Sequence, residues 1–244
     1  MNKVRRKQIY KTVIDTLKNA PRLDLPVNIK EIAKSYSGCK CMLVPYSSIV
    51  NTRNICYSQM IEYAESTDAF SDYNCNTNQA LIYYNDLDES IIKSKRYRWN
   101  IAHELGHVAL GHHLTYPSSR LFCSSMHDDE YKEAEVEADL FASYILTPYP
   151  VLRQLQIQSA DELMKICNIS KHAAQIRFDQ YLKWNSDNDY DRAVLYLFYP
   201  ILNAKYNHRQ SLLQYILAKH SYDRVYCNHI FNDQFKYKSK YKKR

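Results

Sequence analysis

The stretch that decides the reading of this chain is residues 96–113, RYRWNIAHELGHVALGHH. Its apolar spacing is helical from about Arg96 to His113. On a helix, His103 and His107 lie four residues apart and share one face. Two imidazoles one turn apart can reach a single cation. Zinc accepts nitrogen ligands at about 2.0–2.1 Å and favours a tetrahedral set. Glu104, next to the first histidine, cannot comfortably join them. It is placed instead to take a proton from a water held beside the cation.

Such a site needs a third protein ligand, and residues 133–148, EAEVEADLFASYILTP, supply candidates. Glu135 and Asp139 are also four apart on an expected helix over 130–146. That spacing is similar to gluzincins, in which the Glu binds zinc and the Asp accepts the Nδ1–H of a ligand histidine. Ala138, Phe141, Ala142 and Ile145 form an apolar stripe suited to packing on the first helix. Glu135 is therefore the expected third ligand, with Glu137 as the alternative; Glu133 reads as a solvated carboxylate. A competing set takes His113, ten residues after His103, as a metzincin would. It requires glycine at position 110, where Leu110 stands, and Met126 is the only nearby candidate for a Met-turn. His112 and His113 read instead as helix C-terminal histidines that complement the dipole.

Together the two blocks resemble the ImmA/IrrE family of zinc metallo-endopeptidases. The family's patterns are R-x-R-[FW]-x-x-A-H-E-x-G-H-x-x-L-G-H and E-x-E-A-[ND]-x-F-A-x-x-[LI]-L-x-P. The resemblance extends over about 5–184, with Asp139 for the commoner Asn and Thr147 for the commoner Met. It implies one Zn2+ on His103, His107 and Glu135, Glu104 as general base, and Asp139 behind a ligand histidine. It also implies an α+β, zincin-like metallopeptidase domain with a small mixed sheet. Family members are typically bacterial or phage-borne and cytoplasmic, and often cleave a helix-turn-helix repressor. A protein substrate of that kind is the partner expected here.

Composition agrees with a soluble globular chain. Of 244 residues, 45% are hydrophobic and 24% charged. Only three glycines occur, which excludes Gly-rich phosphate loops and a turn-dense β-sandwich. No apolar run is long enough for a membrane span, so no membrane partner is expected. The basic opening MNKVRRKQIYKTVIDTLKNA lacks the apolar core of a secretory signal. Seven cysteines in no regular framework read as reduced thiols, and a cytoplasmic location is expected. Cys39 and Cys41 form a lone C-x-C with no second pair at zinc spacing.

Along the chain, 4–19 reads as a helix, with Ile9, Val13 and Leu17 inward. A short helix capped by Asn28 follows. Strands are expected at 39–46, 54–61 and 79–86, with a polar loop over 62–78. The strand at 79–84 is expected beside the cleft. The break NSDNDY (185–190) separates a metallopeptidase domain, 1–184, from a helical extension, 185–244.

Residues 160–184, ADELMKICNISKHAAQIRFDQYLKW, read like a helix-turn-helix. Ala173, Ala174 and Ile176 are expected inward, and Lys171, His172, Gln175 and Arg177 outward. The net charge of +7 is concentrated at the end: from Lys205 on, ten Lys and Arg face two Asp. The tail FKYKSKYKKR is expected to give weak, salt-sensitive nucleic-acid contact. These features carry an alternative to the peptidase: a zinc-containing DNA- or protein-binding regulator without proteolytic activity. A third reading makes 185–244 the arm of an effector that captures a host protein.

Overall fold

The computed structural model describes residues 3–115, 128–185 and 188–207. The element order is α1 (Lys3–Lys18), α2 (Ile29–Lys34), β1 (Lys40–Pro45), α3 (Tyr46–Arg53), α4 (Tyr57–Ala64), β2 (Ala69–Asn74), β3 (Gln79–Tyr84) and α5 (Glu89–Lys93). Then come α6 (Arg96–Ala109), α7 (His112–Thr115), α8 (Asp128–Leu146), α9 (Tyr149–Gln154), α10 (Ala160–Cys167), α11 (Lys171–Leu182) and α12 (Asn188–Asn207). This is the expected α+β, zincin-like arrangement. Met1–Tyr199 forms one compact unit. Among the described residues no helix is long and apolar enough to cross a membrane.

Local chemistry explains several element ends. Ile9, Val13 and Leu17 of α1 are buried, as their spacing requires. Asn28 caps α2, Asp88 caps α5, Ser159 caps α10 and Ser170 caps α11, each accepting from a backbone N–H in the first turn. The three strands lie in the order β1-β3-β2. β1 runs parallel to β3 with Lys40 opposite Gln79, and β2 runs antiparallel with Ala69 opposite Tyr84. In the β2–β3 turn, Asn74 Oδ1 accepts from Asn76 N and Thr77 N, so an Asx turn reverses the chain.

Three expectations fail in this region. Residues 54–61 do not form a strand; most of them lie in α4. Cys56 and Gln59 close a reciprocal cap, and Met60 and Ala64, one helical turn apart, are fully buried. The expected loop 62–78 contains β2, whose Ser71 and Asp72 break the apolar signal of a strand. β3 is consequently central and paired on both sides, so among the described residues β2, not β3, is the edge strand at the cleft. Phe70 of β2 stacks on Tyr83 of β3 at 4.4 Å between ring centroids. With Tyr46, Met60 and Ala64 these rings form a core on one side of the sheet.

The helices that carry the site cross at very close range. Ala134, Ala138 and Ala142 recur every four residues on α8 and are almost fully buried. Gly106 of α6 faces them: a Cβ there would lie 3.1 Å from Ala138 Cα and 3.2 Å from Phe141 Cδ1. Small residues on both helices thus let the backbones approach, and that brings α8 within reach of the α6 histidines. α1 packs on α8, where Tyr10 OH bonds Tyr144 OH at 2.8 Å, and Tyr190 of α12 stacks on Tyr10.

α10 and α11 form a packed pair, but two side chains depart from expectation. Ile176 is exposed, whereas Arg177 turns inward and lies 4.4 Å over the Trp99 ring of α6. A cation–π seat for the guanidinium outweighs the apolar residue's claim to the interior. Lys171, His172 and Gln175 are exposed as expected. Arg177 on Trp99, and Arg98 Nη2 donating to the Cys167 carbonyl at 3.4 Å, tie the helix pair to α6. The basic tail, and Met126, His127, His208, His220 and His229, lie outside the described residues.

Candidate metal centre

α6 presents His103 and His107 on one face, and α8 brings Glu135 opposite them. His103 Nε2 and His107 Nε2 are 3.0 Å apart. Glu135 Oε2 lies 3.2 Å from His103 Nε2, and Oε1 lies 3.3 Å from His107 Nε2. Donors about 2.0–2.1 Å from one tetrahedral ion stand ~3.3 Å from each other. His103, His107 and Glu135 form a triangle of about that size, each histidine facing its own carboxylate oxygen, and the two-nitrogen, one-carboxylate composition suits zinc. Among the described residues, these three are the group whose donor atoms converge in this way.

Each histidine is oriented from behind. His103 Nδ1 bonds Asp139 Oδ1 at 3.0 Å, which directs Nε2 inward. His107 Nδ1 meets His112 Nδ1 at 2.8 Å, and His112 Nε2 meets Glu137 Oε2 at 3.0 Å. Glu137 in turn is gripped by Nε and Nη2 of Arg5. Gly111, with φ of 74°, makes this return possible: the left-handed turn ends α6 and swings His112 back under His107.

Glu104 is held on the cleft side. Ser71 Oγ donates to Glu104 Oε2 at 2.6 Å, and Ser71 Oγ also meets His113 Nε2 at 3.1 Å. The edge strand β2 thus holds the carboxylate directly, and α7 backs that hold through Ser71. Burial pushes the Glu104 carboxyl upward, against the opposing pull of His103 and Ser71. Burial also opposes charge on His103, but the Asp139 and Glu135 carboxylates outweigh it and take its pKa up to about 10. His107 goes the other way: burial, only partly countered by Glu135, brings it down to about 4. Burial would raise Glu135 as well, yet hydrogen bonds with both histidines hold it well below the usual carboxylate range. His107 is accordingly the neutral imidazole of the pair.

These groups line a cleft of about 650 Å3. Its walls include Phe70 and Ser71 of β2, Trp99 and Asn100 of α6, and Tyr131 of α8. Arg96 and Asp68, ion-paired at 2.6 Å, also line it.

The Peptidase_M78 profile, described as the IrrE N-terminal-like domain, matches residues 57–179, half of the chain. The chain belongs to the Peptidase_M78 family. That membership gives it a metallopeptidase-type hydrolase function. A comparison with curated proteins finds no match.

The matched Peptidase_M78 segment spans α4 to most of α11 and holds His103, Glu104, His107, Glu135 and Asp139 together. The structure brings these five residues to one place. Glu137, the alternative ligand, points away from the triangle into Arg5 and His112. His113, the metzincin candidate, points to Ser71. Sequence reasoning missed the roles of Ser71, His112 and His113. Both histidines are buried, and they open α7 instead of closing α6 against its dipole. The available signal was Leu110-Gly111: a glycine directly after a helix of this length marks a left-handed turn, and residues beyond it fold back.

Proposed function

We propose that this member of the Peptidase_M78 family is a zinc-dependent endopeptidase, with one Zn2+ held by His103, His107 and Glu135. The observation that carries the reading is Glu104. A carboxylate sits beside the ligand pair, faces a cleft, and is held by Ser71 at 2.6 Å. A purely structural zinc site has no use for such a base. When bound, the ion would acidify a water and polarise the scissile carbonyl.

The chain's own residues divide the remaining work. Glu104 takes the proton of the attacking water and delivers it to the leaving amine. Ser71 and Asp139 keep Glu104 and His103 in register through the reaction. An extended peptide added beside β2 as a further strand would gain main-chain hydrogen bonds there and pass in front of Glu104. Tyr131 lies on the cleft wall one turn before Glu135, where its hydroxyl can donate to the oxygen that gains charge.

The substrate we propose is a helix-turn-helix transcriptional repressor, in a bacterial or mobile-element setting, within the cytoplasm. Its support is the family likeness of residues 96–113 and 133–148. The test compares new protein N-termini in cells expressing the parent chain or Glu104→Gln, with zinc measured in both. Cleavage products present only with the parent would support the endopeptidase and name its substrate. Identical N-termini from two zinc-loaded proteins would overturn it in favour of a binding regulator. A cognate repressor left intact by active enzyme would overturn the substrate alone.

A further inference from the structure

Behind His107 lies a line of polar groups that the peptidase reading does not use. Each hydrogen-bond role in it is forced by its neighbour. His107 Nε2 faces His103 Nε2 at 3.0 Å and Glu135 Oε1 at 3.3 Å. To serve as a ligand it needs its lone pair there, so the ring proton must sit on Nδ1. That nitrogen is 2.8 Å from His112 Nδ1. Two ring nitrogens this close bond only if one donates and the other accepts. His107 donates, so His112 Nδ1 accepts and the His112 proton lies on Nε2. There it donates to Glu137 Oε2 at 3.0 Å. The opposite pattern would aim a His112 lone pair at a carboxylate and a His107 N–H at the ligand triangle.

Glu137 can play this part only as an ionised group, although its side chain is just 5% exposed. Arg5 makes that possible by gripping it through Nε and Nη2. Arg5 belongs to α1, outside the matched segment 57–179. The N-terminal helix therefore reaches the ligand histidine through two intervening side chains.

We propose that Arg5, Glu137 and His112 are positioning residues: a relay that fixes His107 in its Nδ1–H form and couples the docking of α1 to the hold on the metal. The proposal rests on His107 being a ligand. Outer groups that orient ligand histidines commonly change metal affinity by about 10–100-fold.

The test uses the full-length protein and zinc itself, with affinity read by competition against a chromogenic chelator. Arg5→Met, Glu137→Ala and His112→Phe should each weaken zinc binding by about 10–100-fold. The double variant Arg5→Met/Glu137→Ala should be no weaker than Glu137→Ala alone, because both act through one line. Arg5→Lys keeps the charge and should recover part of the loss. Tyr10→Phe removes the 2.8 Å bond to Tyr144 on the same helix pair but lies off the relay. Its zinc affinity should stay within about two-fold of the parent, by contrast with the relay variants. A second readout needs no metal: long-range 1H–15N spectra of histidine-labelled apoprotein. They should show His107 protonated at Nδ1 and His112 at Nε2, with both patterns lost in Glu137→Ala. Relay variants that fold and bind zinc like the parent overturn the relay and leave the peptidase reading standing. A His107 protonated at Nε2 in the parent spectrum overturns it as well. A parent that binds no zinc refutes the metal centre instead, and the spectra still decide the relay. Where a variant fails to fold, Arg5→Lys and the parent spectrum decide.

Discussion

Replacing Gly106 by alanine separates the packing of the site from its chemistry. A methyl group at that position would sit 3.1 Å from Ala138 Cα, 3.2 Å from Ala138 O and 3.2 Å from Phe141 Cδ1. Comfortable carbon contacts lie at about 3.5–4.0 Å, so α8 must retreat by ~0.4–0.8 Å. Overpacking of this kind costs about 1–3 kcal/mol. Alanine recovers about 1 kcal/mol of helix propensity. The net loss should be on the order of 1 kcal/mol, or roughly 2–4 °C in Tm for a chain of this size. The metal centre should suffer more. Glu135 lies one turn from Ala138 on α8, and metal–ligand distances tolerate only about ±0.2 Å. Zinc affinity should fall by about ten-fold or more, a loss of the size seen when the shell around a metal is disturbed. Chelator competition and thermal unfolding of the metal-free protein, run on the same preparations, measure both effects. Gly106→Ala binding zinc as tightly as the parent would refute the claim that helix proximity sets the position of Glu135.

Other substitutions probe single contacts. Ser71→Ala removes the 2.6 Å donor to Glu104; zinc content should stay at the parent level while kcat falls about ten-fold, as kinetics on a cleaved peptide would show. Asp139→Ala frees His103 Nδ1 and should weaken zinc binding by about 10–100-fold in a chelator titration. Tyr131→Phe should lower kcat by ~100–1000-fold with little change in KM, the loss expected when a donor to the developing charge is removed. Arg177→Ala strips the guanidinium from Trp99 and should cost about 1 kcal/mol in denaturant unfolding without altering zinc stoichiometry. Free zinc at a hundred times its Kd should add about 2.7 kcal/mol to stability, and chelation should remove it, which calorimetry can follow.

What the sequence revealed and what it hid follow from the range of the interactions involved. The α6 motif and the α8 stripe were legible because their residues act at fixed helical spacing, so His103, His107 and Glu135 could be placed on facing sides before any fold was known. α1 was legible for the same reason. β2 was hidden because Ser71, which it carries to Glu104, is polar for the sake of the site, and that polarity erased the strand's apolar alternation. α4 was misread because a short apolar run such as NICYSQMI fits a strand or a helix equally well until Met60 and Ala64 find their neighbours. The roles of His112 and His113 depend on the reversal at Gly111 and on partners 25 and 42 residues away in sequence. No local pattern encodes such pairings. Arg177 turned inward because an aromatic face on another helix offered its charge a seat, a contact that binary patterning of α11 does not register.

The central claim is that His103, His107 and Glu135 hold one zinc ion for peptide hydrolysis. X-ray absorption at the zinc edge, on the purified full chain and on Glu135→Ala, tests its metal half most directly. The account predicts one zinc per chain in the parent, with two imidazoles at about 2.0–2.1 Å and oxygen ligands completing the set. It further predicts that Glu135→Ala loses the ion or shows an altered first shell. A parent whose zinc carries sulfur ligands, or a Glu135→Ala protein with full zinc and an unchanged spectrum, would contradict it.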